Sequence, residues 1–395
     1  MEPNAWQQQP LHILMGSGVP RRREGGVATI IYNLGRELER LGHHLTYIFQ
    51  EDLVDPGSVS PRWNELVFSL RLSRYIAGNR EKFSIVNLHA PTGFPYGVRR
   101  RWRYGAGYPP YVMTLHGIEE RRVHVMSREV KKSRAWNFSL RNRLWHRFYH
   151  QPRFRWSIRT ADGAHAYSRD VWSMLQLKYD MDSDRVAYIP NGVEPRFFIS
   201  REYRDGDSLQ LLYAGTWLDQ RGIFYIRDAM RNLAARLPRF TMTFAGCCVP
   251  PEEIQRFFGA ELAGRISIRP VVAAEQMQEL YSEHDVFVFP SLMEGLPSVL
   301  LEAMATGMPV ITTETCGMPD VVENDYNGLL IRPADARAIE EAILRLAGSV
   351  ELRGRLGVAA RETMKRYTWE RAAKQLEALY MHVLELEGQA KGWSR

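Results

Sequence analysis

Cysteine, long apolar runs and an apolar leader are scarce or absent in this sequence of 395 residues. Its three cysteines are Cys247, Cys248 and Cys316. Adjacent cysteines are poorly placed to pair with each other, and no metal-ligand spacing appears. No apolar run approaches the roughly 20 residues that span a bilayer. The first ten residues also lack the basic and apolar regions of a signal peptide. We therefore expect a cytoplasmic protein with no bound metal.

Acidic residues are in the minority. The chain has 45 Asp and Glu against 52 Lys and Arg, which gives a formal net charge of +7. This excess favours an anionic partner such as a nucleotide, an anionic lipid surface or a nucleic acid, and charge alone does not choose among them. The length suits two domains of roughly 150–200 residues each. With 45% hydrophobic residues, both are expected to be globular α/β domains.

The chain opens with a predicted strand, helix and strand. A strand at residues 11–15 is followed by a glycine-rich loop, a helix with apolar residues at helical spacing, and a strand at 45–49. Gly25 and Gly26 lie just before the helix. Such a pair forms a plain tight turn, or it lets the backbone approach a ligand closely.

Two histidines follow predicted strands in the same half. His89 comes after a strand at 85–88, and His116 follows a strand at 111–115 within the sequence T-L-H-G. Ligands of open α/β sheets gather beyond the carboxyl ends of the strands. We interpret His116 as a candidate site residue and His89 as a hydrogen-bonded structural histidine.

The segment 119–160 is strongly basic and has interleaved aromatic residues. Leu140, Leu144 and Phe148 fall on one helical stripe beside Arg143 and Arg147. This pattern is typical of a segment at an anionic membrane interface and also of nucleic-acid surfaces. A solvated helix pair that packs its apolar stripe on its own domain is an equal alternative.

The stretch 286–312 has the densest pattern. It reads as a buried strand, a turn-rich loop, a helix that begins near Ser298, a stop at Gly307 and a second strand. The free N–H groups at the start of such a helix attract a phosphate. Glu302 lies on a helix that is apolar on nearly every side, so its carboxylate requires a partner.

Glu294, seven intervening residues and Glu302, followed by A-M-A-T-G-M-P-V-I, closely resemble the donor-site signature of retaining GT-B glycosyltransferases, especially glycosyltransferase family 4. The resemblance implies two Rossmann-like α/β domains that face each other across a cleft. The N-terminal acceptor domain would span 1–195 and the nucleotide-sugar donor domain 205–374. A C-terminal helix at 375–395 would pack back on the first domain.

The resemblance also implies roles for residues. Glu302 would bind the ribose hydroxyls, Glu294 the sugar hydroxyls, and His116 the donor sugar near its reacting carbon. The base would lie along Pro270 to Val272, while Gly25 and Gly26 would help to hold the donor or the acceptor. The diphosphate would meet backbone amides of the loop and the helix start, at Gly295, Leu296, Pro297, Ser298 and Val299.

One family motif is altered. Related enzymes that need no metal bind the diphosphate with an arginine and a lysine in a pattern like G-R-L-x-x-x-K-G. This chain reads G-T-W-L-D-Q-R-G from Gly215 to Gly222. Arg221 replaces the lysine and can hold phosphate in a bidentate way, whereas Thr216 replaces the arginine and supplies no charge. Another basic residue must then substitute, or donor binding is weaker.

The resemblance thus implies a retaining, metal-independent glycosyltransferase with His116, Glu294 and Arg221 as catalytic residues. The donor would be a nucleoside-diphosphate sugar, with UDP as the default and GDP or ADP as alternatives. A glycan or lipid-linked molecule in surface polysaccharide, lipopolysaccharide or glycolipid synthesis would be the acceptor, at the inner face of the plasma membrane, and nucleic acid is not expected as a partner. The alternatives are a sugar-nucleotide epimerase and an inactive nucleotide-sugar or nucleic-acid binding protein.

Overall fold

The computed structural model describes residues 9–21, 26–103, 107–135 and 138–390, which form two compact units. The first unit comprises the described residues of Met1–Glu120, Arg143–Asn191 and Trp369–Arg395. The second comprises those of Arg121–Asn142 and Gly192–Thr368. Each unit contains a parallel sheet of six strands with helices around it, the α/β architecture expected from the sequence.

The first sheet has the strand order β2-β1-β3-β4-β5-β6. Up to residue 191 the elements are β1 His12–Gly16, α1 Gly26–Arg40, β2 His44–Ile48, α2 Gln50–Leu53, α3 Asn64–Gly78, β3 Ile85–His89, α4 Phe94–Trp102, β4 Tyr111–Leu115, α5 Glu119–Lys131, α6 Leu140–Trp145, α7 Gln151–Thr160, β5 Gly163–Ala166, α8 Arg169–Tyr179 and β6 Val186–Tyr188. A π-helical turn at His146–His150 joins α6 to α7.

The second sheet has the order β12-β11-β10-β7-β8-β9. From residue 192 onward the elements are β7 Leu209–Ala214, α9 Ile223–Arg236, β8 Phe240–Ala245, α10 Pro251–Phe258, β9 Ile266–Arg269, α11 Met277–Glu283, β10 Val286–Phe289, α12 Ser298–Ala305, β11 Val310–Thr313, β12 Leu329–Ile331, α13 Ala336–Ala347, α14 Val350–Met364 and α15 Trp369–Ala390.

The central strands are buried and mostly apolar because a parallel sheet is covered on both faces. Every residue of β3, β4 and β10 is buried. The flanking helices cover the sheets with apolar stripes, as α1 does with Ile31, Leu34 and Leu38. Among the helices of the described residues, none combines the length and the apolar character needed to cross a membrane.

The last helix, α15, packs on the first unit. Tyr380 on this helix accepts a hydrogen bond at 2.5 Å from Nδ2 of Asn87 in β3. Glu377 lies 2.8 Å from Nε2 of His43, between α1 and β2. The sequence predicted a helix over 375–395 that returns to this domain. The helix begins earlier, at Trp369.

Residues 121–142 group with the second unit, whereas the sequence analysis assigned them to the first domain. The reason lies in buried polar contacts on α9. Glu129 is only 3% exposed and accepts a hydrogen bond from the Tyr225 hydroxyl at 2.6 Å. Arg134 forms an ion pair with Asp228 at 2.6 Å. Sequence spacing carried no signal for these distant partners.

Candidate functional site

The predicted donor residues of the second unit lie at one edge of its sheet. Strands β9, β8, β7, β10 and β11 are neighbours in that order and run parallel, so their carboxyl ends share an edge. The loops that follow these strands contain nearly all the residues singled out from the sequence in this unit. This edge is where open α/β sheets bind ligands.

A glycine fixes the loop after β7 against the loop after β10. Gly222 has a φ of +78°, and a Cβ atom at this position would lie 2.1 Å from the Pro290 carbonyl oxygen. Only glycine fits this combination of backbone angle and close approach. The amide of Leu292 donates to the Gln220 carbonyl at 2.9 Å, which joins the two loops. Arg221 is thereby held over the loop that contains Glu294.

Arg221 and Glu294 form an ion pair. Their side chains are only 18% and 20% exposed, so the pair is poorly screened by solvent. The guanidinium also lies 5.4 Å from the ring centroid of Phe289, the last residue of β10. Two residues chosen from separate motifs are therefore in direct contact. The pair places a cation and a carboxylate at the strand ends, and such groups can bind a phosphate and hydroxyls respectively.

The loop before α12 is fixed at the same edge. The Gly295 carbonyl accepts a hydrogen bond at 3.0 Å from the Gly317 amide, and Leu296 is buried. Pro297 occupies the cap position, and α12 begins at Ser298 as predicted. The first amides of this helix, including that of Val299, have no carbonyl partner within the helix. They form the predicted diphosphate-binding end of α12.

Glu302 lies one turn into α12 and is half-buried. The Tyr281 hydroxyl donates to its Oε2 at 2.9 Å, which supplies the partner that the apolar helix required. Burial raises the pKa of Glu302 to about 7. The hydrogen bond from Tyr281 opposes this rise, Glu194 adds to it, and Arg196 lowers the pKa. Sequence patterns alone do not single out Tyr281, because an aromatic residue in a short helix is usually an ordinary core residue.

The predicted base-binding segment follows β9. The Pro270 carbonyl already accepts a hydrogen bond at 2.9 Å from the Cys248 amide. Val271 is 74% exposed, and Val272 is half-buried. The backbone of this segment is held to the loop after β8 and leaves an apolar surface beside it.

Thr216, which replaces the family arginine, is exposed and carries no charge. A cation from another part of the chain lies near the α12 loop. Nη1 of Arg121 is 3.3 Å from Sγ of Cys316, in the loop whose next residue, Gly317, bonds to Gly295. Arg121 was not predicted as a donor-site candidate, because its position beside Cys316 depends on residues 121–142 grouping with the second unit.

In the first unit His116 is part of an aromatic cluster at the carboxyl ends of β3, β4 and β5. Its Nε2 lies 2.5 Å from Nδ1 of His89, and its ring stacks on Tyr167 at a centroid distance of 4.8 Å. His165 packs edge-on against Tyr167 at 4.3 Å. Burial lowers the pKa of His116 to about 3, of His165 to about 4, and of His89 well below its usual range. All three imidazoles are therefore neutral at pH 7.

The interpretation of His89 as a hydrogen-bonded histidine agrees with this contact, and its partner is the candidate residue itself. Gly26 is the first residue of α1, has a φ of +75°, and has open space where a Cβ atom would lie. Gly25 lies outside the described residues.

Two family models match this chain in tandem. The model of Glycosyltransferase Family 4 matches residues 24–197, and that of Glycosyl transferases group 1 matches residues 208–349. The gap between the two matches overlaps the boundary between the domains predicted at 1–195 and 205–374. Most of the chain is thus covered by glycosyltransferase models.

Individual proteins agree with these matches. An uncharacterized glycosyltransferase of Methanocaldococcus jannaschii is 23% identical over 90% of this chain and 94% of its own length. The amylovoran biosynthesis glycosyltransferase AmsK of Erwinia amylovora is 26% identical over 45% of this chain, and the match spans 46% of that relative's length.

Solved structures share the fold. Sucrose-phosphate synthase from Thermosynechococcus elongatus superposes with a TM-score of 0.77 at 20% identity, covering 95% of this chain and all of that one. Anabaena HepE in complex with UDP-glucose has a TM-score of 0.67 at 14% identity, covering 93% and 98%. With both family models matched and the GT-B fold shared, this chain belongs to the group 1 glycosyl transferases of glycosyltransferase family 4.

Proposed function

We propose that this protein transfers a sugar from a nucleoside-diphosphate sugar to a glycan or lipid-linked acceptor, with retention of the anomeric configuration and without a metal ion. The observation that carries the proposal is the contact between Arg221 and Glu294 at the carboxyl edge of the second sheet. A cation for phosphate and a carboxylate for sugar hydroxyls occupy the place where the donor would bind. Glu302 adds a carboxylate for the ribose diol.

The donor is proposed to be a UDP sugar. Support comes from HepE, a structural neighbour solved with UDP-glucose. The diphosphate would lie over the start of α12 and draw on Arg221. We assign the charge that Thr216 lacks to Arg121, because its guanidinium lies beside the loop that bonds to Gly295. Arginine suits this role since its planar group binds phosphate oxygens in pairs.

The reaction is proposed to proceed by attack on the same face from which the diphosphate leaves, and the leaving diphosphate accepts the proton of the acceptor hydroxyl. Glu294 is already engaged with Arg221, and a double-displacement route requires a pair of carboxylates about 5–5.5 Å apart. The role of Glu294 is then to bind sugar hydroxyls. His116 is neutral, so it supplies a hydrogen bond to the sugar and not a positive charge.

The acceptor is proposed to belong to surface polysaccharide, lipopolysaccharide or glycolipid synthesis. The name of AmsK, an amylovoran biosynthesis enzyme, supports the polysaccharide class. Peripheral contact with an anionic membrane at the inner face of the plasma membrane would give access to a lipid-linked acceptor. In support of that contact, Leu140, Leu144 and Phe148 are 65%, 48% and 71% exposed, so the apolar stripe is not packed in a core. Arg62 lies 3.8 Å from the ring centroid of neighbouring Trp145.

The test of this function is a screen of UDP, GDP and ADP sugars for release of the nucleoside diphosphate, first by slow hydrolysis and then with acceptors. Proton NMR of the product reports its anomeric configuration. We expect release with one nucleotide family and a product that keeps the donor configuration. Donor binding without release under any condition would instead identify an inactive binding protein, and isolation of a covalent glycosyl-Glu294 intermediate would refute the proposed mechanism.

A further inference from the structure

Helix α11 contributes one buried side chain to the neighbourhood of Glu302. Tyr281 is fully buried, and its ring packs edge-on against Phe197 at 5.9 Å and Phe287 at 6.1 Å. Its rotamer is therefore fixed by packing on two sides. The Tyr281 hydroxyl contacts α12, where it lies 2.9 Å from Oε2 of Glu302 and 3.3 Å from the Val299 carbonyl oxygen.

The hydrogen-bond partners of the Tyr281 hydroxyl depend on the protonation state of Glu302. A tyrosine has one hydrogen to donate and lone pairs to accept with. When Glu302 is ionised, the hydroxyl hydrogen is directed to the carboxylate, which is the stronger acceptor. When Glu302 is protonated, its own hydrogen can be donated to the tyrosine oxygen, and Tyr281 can donate to the Val299 carbonyl. Both states of Glu302 thus have a partner in the same geometry.

We propose that Tyr281 is the positioning residue for Glu302, holding its carboxyl group in one orientation and sharing its proton, so that the ribose diol meets a preformed acceptor. This inference rests on the proposed function, in which Glu302 binds ribose. The hydroxyls of a ribose donate hydrogen bonds, and they pair with the ionised carboxylate. Protonation of Glu302 therefore weakens binding of the donor.

The surrounding charges fit this effect. Burial raises the pKa of Glu302 to about 7, and the hydrogen bond from Tyr281 is the largest influence that lowers it. Glu194 raises the pKa and Arg196 lowers it, while these two residues pair with each other at 2.9 Å. Without the tyrosine hydroxyl, protonated Glu302 persists to higher pH. The preference of the site for a ribose diol is then lost at neutral pH.

The experiment compares calorimetric titrations of UDP and 2′-deoxy-UDP between pH 6 and pH 8.5, or the same pair with the base that binds best. We divide the dissociation constant of 2′-deoxy-UDP by that of UDP. This ratio cancels the effect of proton uptake by the phosphates, which both ligands share. In the wild-type protein we expect this ratio to rise about tenfold from pH 6 to pH 8, with a midpoint near 7. In Tyr281→Phe we expect the midpoint to move up by about one pH unit.

Tyr203→Phe is the matched control. The Tyr203 hydroxyl donates to the Gly307 carbonyl at 2.6 Å, just past the far end of α12. The substitution therefore removes a comparable hydrogen bond at a position away from Glu302. We expect Tyr203→Phe to keep the wild-type profile. A wild-type profile in Tyr281→Phe would overturn the inference, as would an equal shift in both variants.

A second readout needs no nucleotide. Protein labelled with ¹³C at glutamate carboxyls gives a titrating signal for Glu302, assigned by its loss in Glu302→Gln. Its midpoint should rise in Tyr281→Phe, and an unchanged midpoint contradicts the inference. A raised midpoint in a protein that binds neither UDP, GDP nor ADP would overturn the proposed function while supporting the link between Tyr281 and Glu302.

Discussion

At the carboxyl edge of the first sheet, the candidate residues are neutral aromatic groups. His89 and His116 share a hydrogen bond there, and His116 stacks on Tyr167. At the same edge of the second sheet, Arg221 pairs with Glu294. A charged edge suits a diphosphate and hydroxyls that must be gripped, whereas a neutral edge suits hydrogen bonds to uncharged sugar groups. The same α/β frame thus carries neutral side chains at one sheet edge and an ion pair at the other, through the residues at and after its strand ends.

The largest expected effect concerns acid stability, and the two edges should respond with opposite sign. A histidine whose pKa is lowered by folding resists protonation, so its contribution to stability is lost as pH falls below about 6.5. Each such histidine lowers the free energy of unfolding by up to about 1.4 kcal/mol per pH unit below this value. For His116 and His165 together, whose pKa values burial lowers to about 3 and about 4, we expect a loss on the order of 4 kcal/mol between pH 7 and pH 5, and His89 acts in the same direction.

Glu302 works the other way, because its folded pKa is raised. The folded state then binds a proton more tightly than the unfolded state, and this stabilises the second unit as pH falls from about 7 toward 4. Hydrogen-exchange mass spectrometry, corrected for the intrinsic pH dependence, reports each region separately. Peptides of β3–β5 should lose protection in acid before those of α11 and α12, and Glu302→Gln should reduce this difference. Equal loss in both regions would contradict the contrast between the edges.

The second prediction removes the ion pair that defines the charged edge. Replacing Arg221 or Glu294 with glutamine should reduce kcat/KM on the best donor by about 10²–10³, as for other fixed groups that stabilise transition-state charge. Because the two side chains touch, the double variant should cost much less than the product of the single effects. Steady-state kinetics on all three variants provide the cycle.

An exposed ion pair of the same unit provides the control. Arg231 and Glu261 are 43% and 57% exposed. Their glutamine variants should leave kcat/KM within about twofold of wild type, since exposed pairs contribute little. Independent, multiplicative losses for Arg221 and Glu294 would show that the two residues do not act together in the donor site.

The third prediction concerns the missing family arginine. If Arg121 supplies that charge, Arg121→Gln should weaken UDP binding by about tenfold, the loss expected for one charge-assisted phosphate contact. The effect should shrink at high salt. Calorimetry is the measurement, and Arg128→Gln is the control because Arg128 is an exposed arginine on the same helix. Equal effects from both variants would point to general electrostatic attraction instead of a specific contact.

The smallest expected effect is on membrane association. Phe148→Ser should weaken sedimentation with vesicles that contain phosphatidylserine by about fivefold, because it removes most of one apolar side chain from the interface. Leu177→Ser is the control, since Leu177 is 88% exposed on α8, outside the basic segment. Unchanged sedimentation of Phe148→Ser would remove the membrane proposal and leave the transferase proposal intact.

Much of the fold could be predicted from local patterns. Strand β4 occurs at the predicted residues 111–115, and β1, β2 and β3 lie within one residue of the predicted strands at 11–15, 45–49 and 85–88, because strands of a parallel sheet give short continuous apolar runs. Helices α3 and α10 were not predicted. The buried face of α3 combines Phe68, Leu72 and Ile76 with Ser69 and Ser73, so part of its core-facing stripe is polar.

The candidate site was partly predictable for a related reason. Glu294 and Glu302 stand in one linear motif, so sequence alone could identify them. Tyr281 and Arg121 reach the site through packing between distant segments, and no local spacing encodes that approach. Residues 121–142 group with the second unit for the same reason, since the contact between Glu129 and Tyr225 joins residues that are distant in sequence.

The most direct test of the central claim is nucleoside-diphosphate release from UDP-, GDP- and ADP-sugars by the wild-type protein and by Glu302→Ala. We expect the wild-type protein to release the nucleoside diphosphate from one nucleotide family, with UDP as the proposed nucleotide. We also expect a Glu302→Ala variant that remains folded and binds the free nucleoside diphosphate at least tenfold more weakly, about 1.4 kcal/mol. Nucleotide affinity that is unchanged in Glu302→Ala would contradict the assignment of the donor site.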